Sequence, residues 1–295
     1  MLLGLPTSIA DASVAMLARD YDAQSLLVLA GCSGDPGVPP GGSVAELQRI
    51  DERIGTGALA SAGDAVTVHY TGWLYDATAA ALQGFELLRS QPDIDRQRIG
   101  ILGWSWGGYL TTQLSGLLGD RVAAAFSHYG SGFYEDTWFG VFLGWMQPAD
   151  RAVWLDTFDA GRRAPFITAP FFMGAAANDT YFRPPAIERT LAAIPGETGL
   201  VYAPNAHHQL PVPGGTNMQP GDFLAETWFA RHLQGTGPAF PSIDWEPTSR
   251  PGAVAFRVTG PRPLLAASLW YSRPDPLGSW PDRRWIEVPA NARGG

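Results

Sequence analysis

The feature that most constrains the fold is a Gly-Trp-Ser-Trp-Gly motif at residues 103–107. The mostly apolar residues 98–102 in front of it predict a buried strand, and residues 108–118 behind it favour a helix. A serine between a strand and a helix, with glycine two positions away on both sides, is typical of a sharp turn that presents a nucleophilic hydroxyl above a parallel sheet. The motif therefore predicts that Ser105 is a catalytic nucleophile rather than an ordinary loop serine.

A nucleophilic serine needs a base that takes its proton and a carboxylate that orients this base. Residues 169–174 form an apolar run that leads to Asp179, and residues 199–204 lead to His207 and His208. Each candidate follows a predicted strand, where the ligand sites of open parallel sheets lie. The order serine, acid, histidine therefore predicts a triad. The alternatives are a turn-forming role for the aspartate and a solvated or metal-binding histidine pair.

Residues 95–109 resemble the nucleophile region of bacterial α/β-hydrolases of the acetyl xylan esterase and dienelactone hydrolase type. They are also similar to the catalytic domain of prolyl oligopeptidases and acylaminoacyl peptidases. Residues 173–208 resemble the same group, in which a Gly-x-x-x-x-Asn-Asp motif carries the acid and a Pro-Asn-x-x-His motif carries the base. The resemblance implies Asp179 as the acid, and His208 rather than His207 as the base.

The resemblance covers roughly residues 85–290. It implies an α/β fold in which helices flank a mostly parallel sheet, a partial α/β-hydrolase fold. An N-terminal β-hairpin fragment and a C-terminal antiparallel β appendage are expected beside it, because residues 252–289 alternate between apolar and polar side chains. The backbone N–H of Trp106 is expected to receive the oxyanion, and Trp104 and Tyr109 to bind the substrate.

The sequence upstream of Ser105 departs from this family. No His-Gly-Gly-type loop, which supplies a second oxyanion donor, is recognisable there. Loss of one such donor costs about two to three orders of magnitude in rate. A serine hydrolase that acts on carboxylic esters is therefore the main hypothesis. A peptidase of the prolyl oligopeptidase type and a catalytically impaired hydrolase are the alternatives. Missing strands would also leave an open sheet edge, which predicts self-association unless residues 66–70 cover it.

Residues 49–76 resemble the opening of an FKBP-type peptidyl-prolyl isomerase. Apolar residues at 66, 68 and 70 alternate with polar ones, which predicts a strand. The resemblance stops at Asp76, and the remainder of that family's pocket has no counterpart in the sequence. Isomerase activity is therefore not expected, and we interpret this segment as a fragment joined to the hydrolase.

The chain divides into four predicted segments. In order they are an N-terminal segment with a Gly/Pro-rich linker at 1–43, the FKBP-like β fragment at 44–77, the catalytic region at 78–235 and a C-terminal β extension at 236–295. The spacing of Ile9, Val14, Met16 and Leu17 predicts a short helix. Further helices are predicted at 78–90, 184–194 and 223–233. The aromatic residues within 130–165 favour a lid or pocket wall, with core packing as the alternative.

The amino-acid composition limits which partners, cofactors and substrates are expected. The net charge of −8 and the lack of a basic stripe argue against nucleic acid. The chain contains no lysine, which excludes Schiff-base chemistry, and it has neither a P-loop nor a dinucleotide-binding motif. No cofactor and no metal are therefore expected. A small-molecule ester or a peptide-like compound is the expected substrate.

The segment around Cys32, the single cysteine, resembles a bacterial lipoprotein signal at residues 29–32. Acidic and polar residues interrupt the region before it, so a signal relic or a buried strand is favoured over a membrane anchor. The location stays open between a secreted or lipoprotein-derived protein and a cytoplasmic one. The longest apolar runs fall short of the ~20 residues that span a bilayer.

Overall fold

The computed structural model describes residues 77–211, 222–246, 248–261, 263, 266–273 and 279–291, together with the backbone of strands at 2–4, 12–18, 25–31 and 66–67. Eight strands of this described part form one sheet. Their bounds are β1 (Leu2–Gly4), β2 (Ala12–Ala18), β3 (Ser25–Gly31), β4 (Val66–Thr67), β5 (Ile99–Trp104), β6 (Ala124–His128), β7 (Phe171–Ala176) and β8 (Thr198–Ala203).

The sheet is mostly parallel. Its strands lie in the order β1-β2-β3-β5-β6-β7-β8, and β4 pairs with β2. The strands from β3 to β8 along this path run parallel to one another, whereas β2 is antiparallel to its neighbours β1, β3 and β4. This arrangement confirms the predicted α/β fold class with a mostly parallel sheet.

Two expectations for the N-terminal part are wrong. Residues 12–18 form a strand rather than the short helix predicted there, because β2 pairs along most of its length with β3, a contact that local spacing does not encode. The edge of β5 is also not open, since β3 pairs with it from Ser25↔Ile99 to Leu29↔Gly103. The strand Val66–Thr67 joins β2 instead of that edge. The remainder of the FKBP-like fragment lies outside the described residues, and self-association stays a prediction.

Helices cover both faces of the sheet. Their bounds are α1 (Ala77–Arg89), α2 (Trp106–Leu118), α3 (Gly140–Leu143), α4 (Pro148–Phe158), α5 (Pro184–Ala192) and α6 (Asp222–Gln234). Helices α1, α5 and α6 confirm the three helices predicted outside the motif region, to within a few residues at their ends. The helix after the Gly-Trp-Ser-Trp-Gly motif is confirmed as α2.

The alternation of side chains along β5 creates two cores. Ile99 and Ile101 pack with Phe85 of α1 in one core. Leu102 packs on the other face with Phe229 of α6. Such alternation is the period-2 pattern of a strand that is covered on both sides. The sheet is thereby fixed between two helical layers, and its loops are left at the strand ends.

The C-terminal residues form two small antiparallel sheets, as predicted. One pairs β9 (Ser242–Glu246) with β10 (Ala255–Thr259), and the other pairs β11 (Ser268–Tyr271) with β12 (Ile286–Pro289). A 3-10 turn at Trp280–Asp282 precedes β12. The indole N–H of Trp280 donates to the Ala177 carbonyl at 2.9 Å, so this extension contacts the loop that follows β7.

Candidate active site

Ser105 lies in the turn between β5 and α2 with φ 56° and ψ −117°, a backbone conformation that residues with a side chain rarely adopt. The turn is held because the Ser105 N–H donates to the His128 carbonyl at 3.0 Å and the Ser105 carbonyl accepts from the Tyr109 N–H at 2.9 Å. A Cβ at Gly130 would lie 2.4 Å from the Ser105 carbonyl oxygen. Close packing around the turn therefore enforces the strained conformation.

His208 lies between the serine and the aspartate. Its Nε2 is 2.6 Å from Ser105 Oγ, and its Nδ1 is 2.9 Å from Asp179 Oδ2. Asp179 follows β7 and His208 follows β8, and the last paired residues of these parallel strands are Ala176 and Ala203. Both loops therefore leave the sheet at the edge where β5 leads into Ser105, as expected for ligand sites of open parallel sheets.

The Asp179 carboxylate is fully buried. Its Oδ1 accepts from the backbone N–H of Tyr181 at 2.7 Å and from that of Phe182 at 3.0 Å. The first of these bonds closes a turn of the Asx type, the structural role that the sequence left as an alternative. The same carboxylate thus forms the turn with one oxygen and contacts His208 with the other. The Asn-Asp-Thr sequence at residues 178–180 is the signal for this turn.

Aromatic rings surround the His208 imidazole. The ring centroids of Tyr129 and Tyr181 lie 4.7 and 4.9 Å from it, both in edge-to-face geometry. Its neighbour His207 is exposed and directs Nδ1 toward the Asn178 carbonyl at 3.2 Å. The structure therefore brings His208, rather than His207, to the serine.

The residues flanking Ser105 have different environments. Trp106 is the first residue of α2, and N–H groups in the first turn of a helix have no acceptor within the helix. The Trp104 ring stacks on His128 at 5.1 Å, and Tyr109 is buried with its hydroxyl donating to the Phe158 carbonyl at 2.5 Å. These are packing contacts, and substrate binding by Trp104 and Tyr109 stays a prediction.

The segment 130–165 contains both buried and exposed aromatic side chains, and a lid or pocket wall stays a prediction for it. Tyr134 is buried and packs with Tyr109 and Phe182, which is core packing. By contrast, the side chains of Trp138 and Trp145 are 39% and 74% exposed. The exposed rings continue outward from the His208 imidazole.

We call these rings the aromatic row, which consists of Tyr181, Trp138, Phe142 and Trp145. Tyr181 contacts His208, and successive ring centroids along the row are 5.9, 5.4 and 4.8 Å apart. A contiguous exposed apolar surface next to a reactive group is typical of a ligand-contacting wall.

A buried carboxylate holds the backbone of the segment 130–165 in place. Asp159 accepts from the backbone N–H of Phe133 at 2.9 Å and from that of Gly161 at 2.8 Å, and it contacts the Arg162 guanidinium. Burial raises the pKa of Asp159, and the neighbouring guanidinium opposes this shift. Sequence reasoning missed this residue, because it belongs to no motif and one of its partners is distant in the chain.

The described ranges hold neither a candidate metal-binding cluster nor a helix suited to crossing a membrane. Within them, no three His, Cys, Asp or Glu side chains lie close enough together to hold a metal ion. None of the helices described is both long and apolar enough to cross a membrane.

The mostly parallel sheet, the strained turn at Ser105 and the loops at the strand ends form a partial α/β-hydrolase fold. The sequence model of the prolyl oligopeptidase family matches residues 74–193. This match includes Ser105 and Asp179 and ends before His208. No curated protein sequence matches the chain.

Solved structures of hydrolases are similar to part of the chain. Acetyl xylan esterase 1 from Thermoanaerobacterium sp. JW/SL YS485 is 19% identical with a TM-score of 0.42, over 50% of this chain and 49% of that one. Acetyl xylan esterase from Paenibacillus sp. R4 is 16% identical with a TM-score of 0.44, over 53% and 52%. Pyrococcus horikoshii acylaminoacyl peptidase is 22% identical with a TM-score of 0.45, over 55% and 29%. The matched region thus spans about half of each esterase, 49% and 52%, and less of the peptidase.

Proposed function

We propose that the protein is a serine hydrolase that cleaves carboxylic esters through Ser105, His208 and Asp179. The observation that carries this proposal is the continuous hydrogen-bonded chain from Ser105 Oγ through the imidazole to the Asp179 carboxylate, with heavy-atom distances of 2.6 and 2.9 Å. Nucleophile, base and orienting group within hydrogen-bond reach are the requirement for an activated serine. We further propose residues 78–235 as the catalytic region and 236–295 as a C-terminal extension.

In the proposed mechanism, Ser105 Oγ attacks the ester carbonyl carbon while His208 Nε2 takes the hydroxyl proton. The Asp179 carboxylate accepts a hydrogen bond from the His208 Nδ1–H, which fixes the tautomer and stabilises the imidazolium. The tetrahedral oxyanion accepts a hydrogen bond from the Trp106 N–H, next to the positive end of the α2 dipole. His208 then protonates the leaving alkoxide, which leaves an acyl-serine. Water activated by the same imidazole hydrolyses the acyl-serine and restores the hydroxyl.

An ester is the better-supported substrate because it demands less stabilisation of the transition state than an amide does. In the described part of the chain the proposal assigns one oxyanion donor, Trp106. A site with one donor loses about two to three orders of magnitude in rate against a site with two, and an ester tolerates this loss better. The prolyl oligopeptidase family match favours peptide cleavage as the second candidate. Comparison of aminoacyl-nitroanilides with matched nitrophenyl esters distinguishes the two.

The first test measures hydrolysis of p-nitrophenyl acetate by the wild type and by Ser105→Ala. We expect roughly a 10⁴-fold or larger loss of kcat, because removing the nucleophile of a triad abolishes its joint action. Ser90→Ala is the matched control, since this exposed serine lies at the end of α1 and donates to the Leu87 carbonyl. Equal rates for Ser105→Ala and the wild type would refute the proposal.

The histidine pair provides an internal test of the base. His208→Ala is expected to lose activity to a degree similar to the serine variant, whereas His207→Ala keeps it within a few-fold because its ring contacts a backbone carbonyl instead. A fluorophosphonate probe should label Ser105 in the folded protein and not in His208→Ala. If the folded wild type is not labelled, the impaired-hydrolase alternative is correct.

A further inference from the structure

A cavity of about 350 Å³ lies between the hydrolase core and the C-terminal extension. Three tryptophans of the extension line it, namely Trp270 on β11, Trp280 in the 3-10 turn and Trp285 before β12. On the core side it is lined by Tyr202 of β8 and Glu188 of α5, with prolines between them. The residues of the proposed triad do not line it, so this cavity is separate from the candidate active site.

The walls of this cavity are aromatic and largely apolar. The indole nitrogen of Trp280 is already engaged as a donor to the Ala177 carbonyl at 2.9 Å, so it is not available to bond a ligand. The Arg283 guanidinium lies 3.7 Å from the centroid of the Trp280 ring. The protein itself therefore uses this indole as a platform for a cation, through attraction to the negative face of the ring.

The charge of the described lining residues also favours a cationic ligand. Among the described lining residues, Glu188 carries the charge, and it is negative. The Tyr202 hydroxyl donates to its carboxylate, with Oη and Oε1 3.3 Å apart. An anionic ligand would meet this carboxylate, whereas Arg283, the cation on the Trp280 ring, is not among the described lining residues. Among the described lining residues a sugar would find few hydrogen-bond partners, since the Glu188 carboxylate and the Tyr202 hydroxyl are their side-chain polar groups besides the indole nitrogens.

We propose that this cavity binds an organic cation with an apolar body, such as a quaternary ammonium group. The indole faces stabilise the positive charge, Glu188 complements it, and the apolar substituents fill space between the tryptophans and the prolines. The cavity volume lies in the range of small-molecule sites, about 300–1,000 Å³. The proposal does not depend on the proposed hydrolase function, because it uses none of the triad residues.

The test compares choline with 3,3-dimethylbutan-1-ol, a neutral molecule of nearly the same shape, by calorimetry and tryptophan fluorescence on the full chain. We expect choline to bind roughly tenfold more tightly than the alcohol, because the difference isolates the cation–π and carboxylate attraction. Glu188→Gln should reduce this difference, and Trp270→Ala should weaken choline binding. Trp245→Ala is the matched control, since this tryptophan is 66% exposed on β9 and does not line the cavity.

Three outcomes would overturn the proposal. They are equal binding of choline and the alcohol, choline binding that Glu188→Gln and Trp270→Ala both leave unchanged, and no saturable choline binding at all. Melting curves of each variant identify loss of folding as a separate effect. Ser105→Ala should bind choline as the wild type does, so failure of the hydrolase proposal and failure of this one are distinguished.

Discussion

Asn205 and the backbone of Trp285 exchange two hydrogen bonds. The Asn205 side-chain amide donates to the Trp285 carbonyl at 3.0 Å, and the Trp285 N–H donates to Asn205 Oδ1 at 2.9 Å. Asn178, adjacent to the acid, donates in the same way to the Pro281 carbonyl at 2.9 Å. The segment 280–285 therefore braces both loops that carry the acid and the base of the proposed triad.

This brace predicts that the Asn205 amide supports turnover as well as stability. Asn205 has φ 53°, so Asn205→Gly removes the amide and still accommodates the backbone. We expect the free energy of unfolding to fall by about 1–3 kcal/mol for two lost hydrogen bonds. We also expect kcat for p-nitrophenyl acetate to fall with little change in KM, because the His208 loop is held less firmly.

The control for this prediction is Thr248→Ala, which removes a hydroxyl that accepts from the Arg250 N–H in an exposed loop of the extension. It should leave both quantities near their wild-type values. Reduced stability of Asn205→Gly with an unchanged kcat would mean that the brace is structural and has no effect on the base.

The strained turn at Ser105 predicts a difference between two inactive variants. Ser105→Gly relieves a φ of 56° and a ψ of −117°, whereas Ser105→Ala retains the strain. Backbone strain of this kind costs about 1–3 kcal/mol of stability, which glycine relieves. Glycine also makes the unfolded chain more flexible, and this offsets about 0.4–1 kcal/mol of the gain. Urea denaturation should show Ser105→Gly to be the more stable of the two by about 1 kcal/mol. A less stable glycine variant would contradict the idea that strain is stored at this position.

The sharp turn at Ser105 was predictable from the sequence because its determinants are local. An apolar strand, two flanking glycines and a helix lie within twenty or so residues of Ser105, and a motif of this kind carries its own geometry. The positions of Asp179 and His208 were predictable for a related reason, since both directly follow strands whose ends meet at one edge of the sheet.

The features that the sequence does not predict depend on contacts between residues that are distant in the chain. Strand β2 was mistaken for a helix because only its partner β3 makes it a strand, and that pairing is not visible in apolar spacing. The contacts of Asn178 and Asn205 with residues 281 and 285 join chain positions 103 and 80 residues apart. An isolated asparagine offers no sign of such a partner, so neither the brace nor the cavity lined by Trp280 and Trp285 is predictable from the sequence.

The aromatic row predicts a preference for esters with bulky acyl or aryl groups. Trp138 and Trp145 present exposed rings that continue from Tyr181 next to His208. We expect Trp138→Ala and Trp145→Ala to raise KM for nitrophenyl benzoate by roughly 2- to 10-fold, since an aromatic contact contributes about 0.5–1.5 kcal/mol. Nitrophenyl acetate, which is too small to reach along the row, should be cleaved with an unchanged KM.

Phe166→Ala controls for general effects of removing an exposed ring, because Phe166 is 60% exposed and does not belong to the aromatic row. Steady-state kinetics with both esters gives the comparison. Equal increases in KM for acetate and benzoate, or an increase in the Phe166 variant, would argue against a substrate-binding role for the row.

His128 predicts a specific dependence of stability on pH. The residue is fully buried at the end of β6, and both ring nitrogens are without a hydrogen-bond partner among the described residues. Burial lowers the pKa of His128 from 6.5 to about 3. Below pH 6.5 the unfolded chain therefore binds a proton that the folded protein does not, so stability falls as the pH decreases toward the folded pKa.

His128→Phe removes this titration and keeps an aromatic ring against Trp104. Between pH 7 and pH 5 we expect the wild type to lose about 2 kcal/mol more stability than the variant, because each pH unit below the unfolded pKa costs about 1.4 kcal/mol. Carboxylates titrate in both proteins, and their contributions cancel in the difference. Urea denaturation at several pH values in this window provides the measurement. Parallel stability curves for the two proteins would mean that the buried imidazole becomes protonated in the folded state as readily as in the unfolded chain.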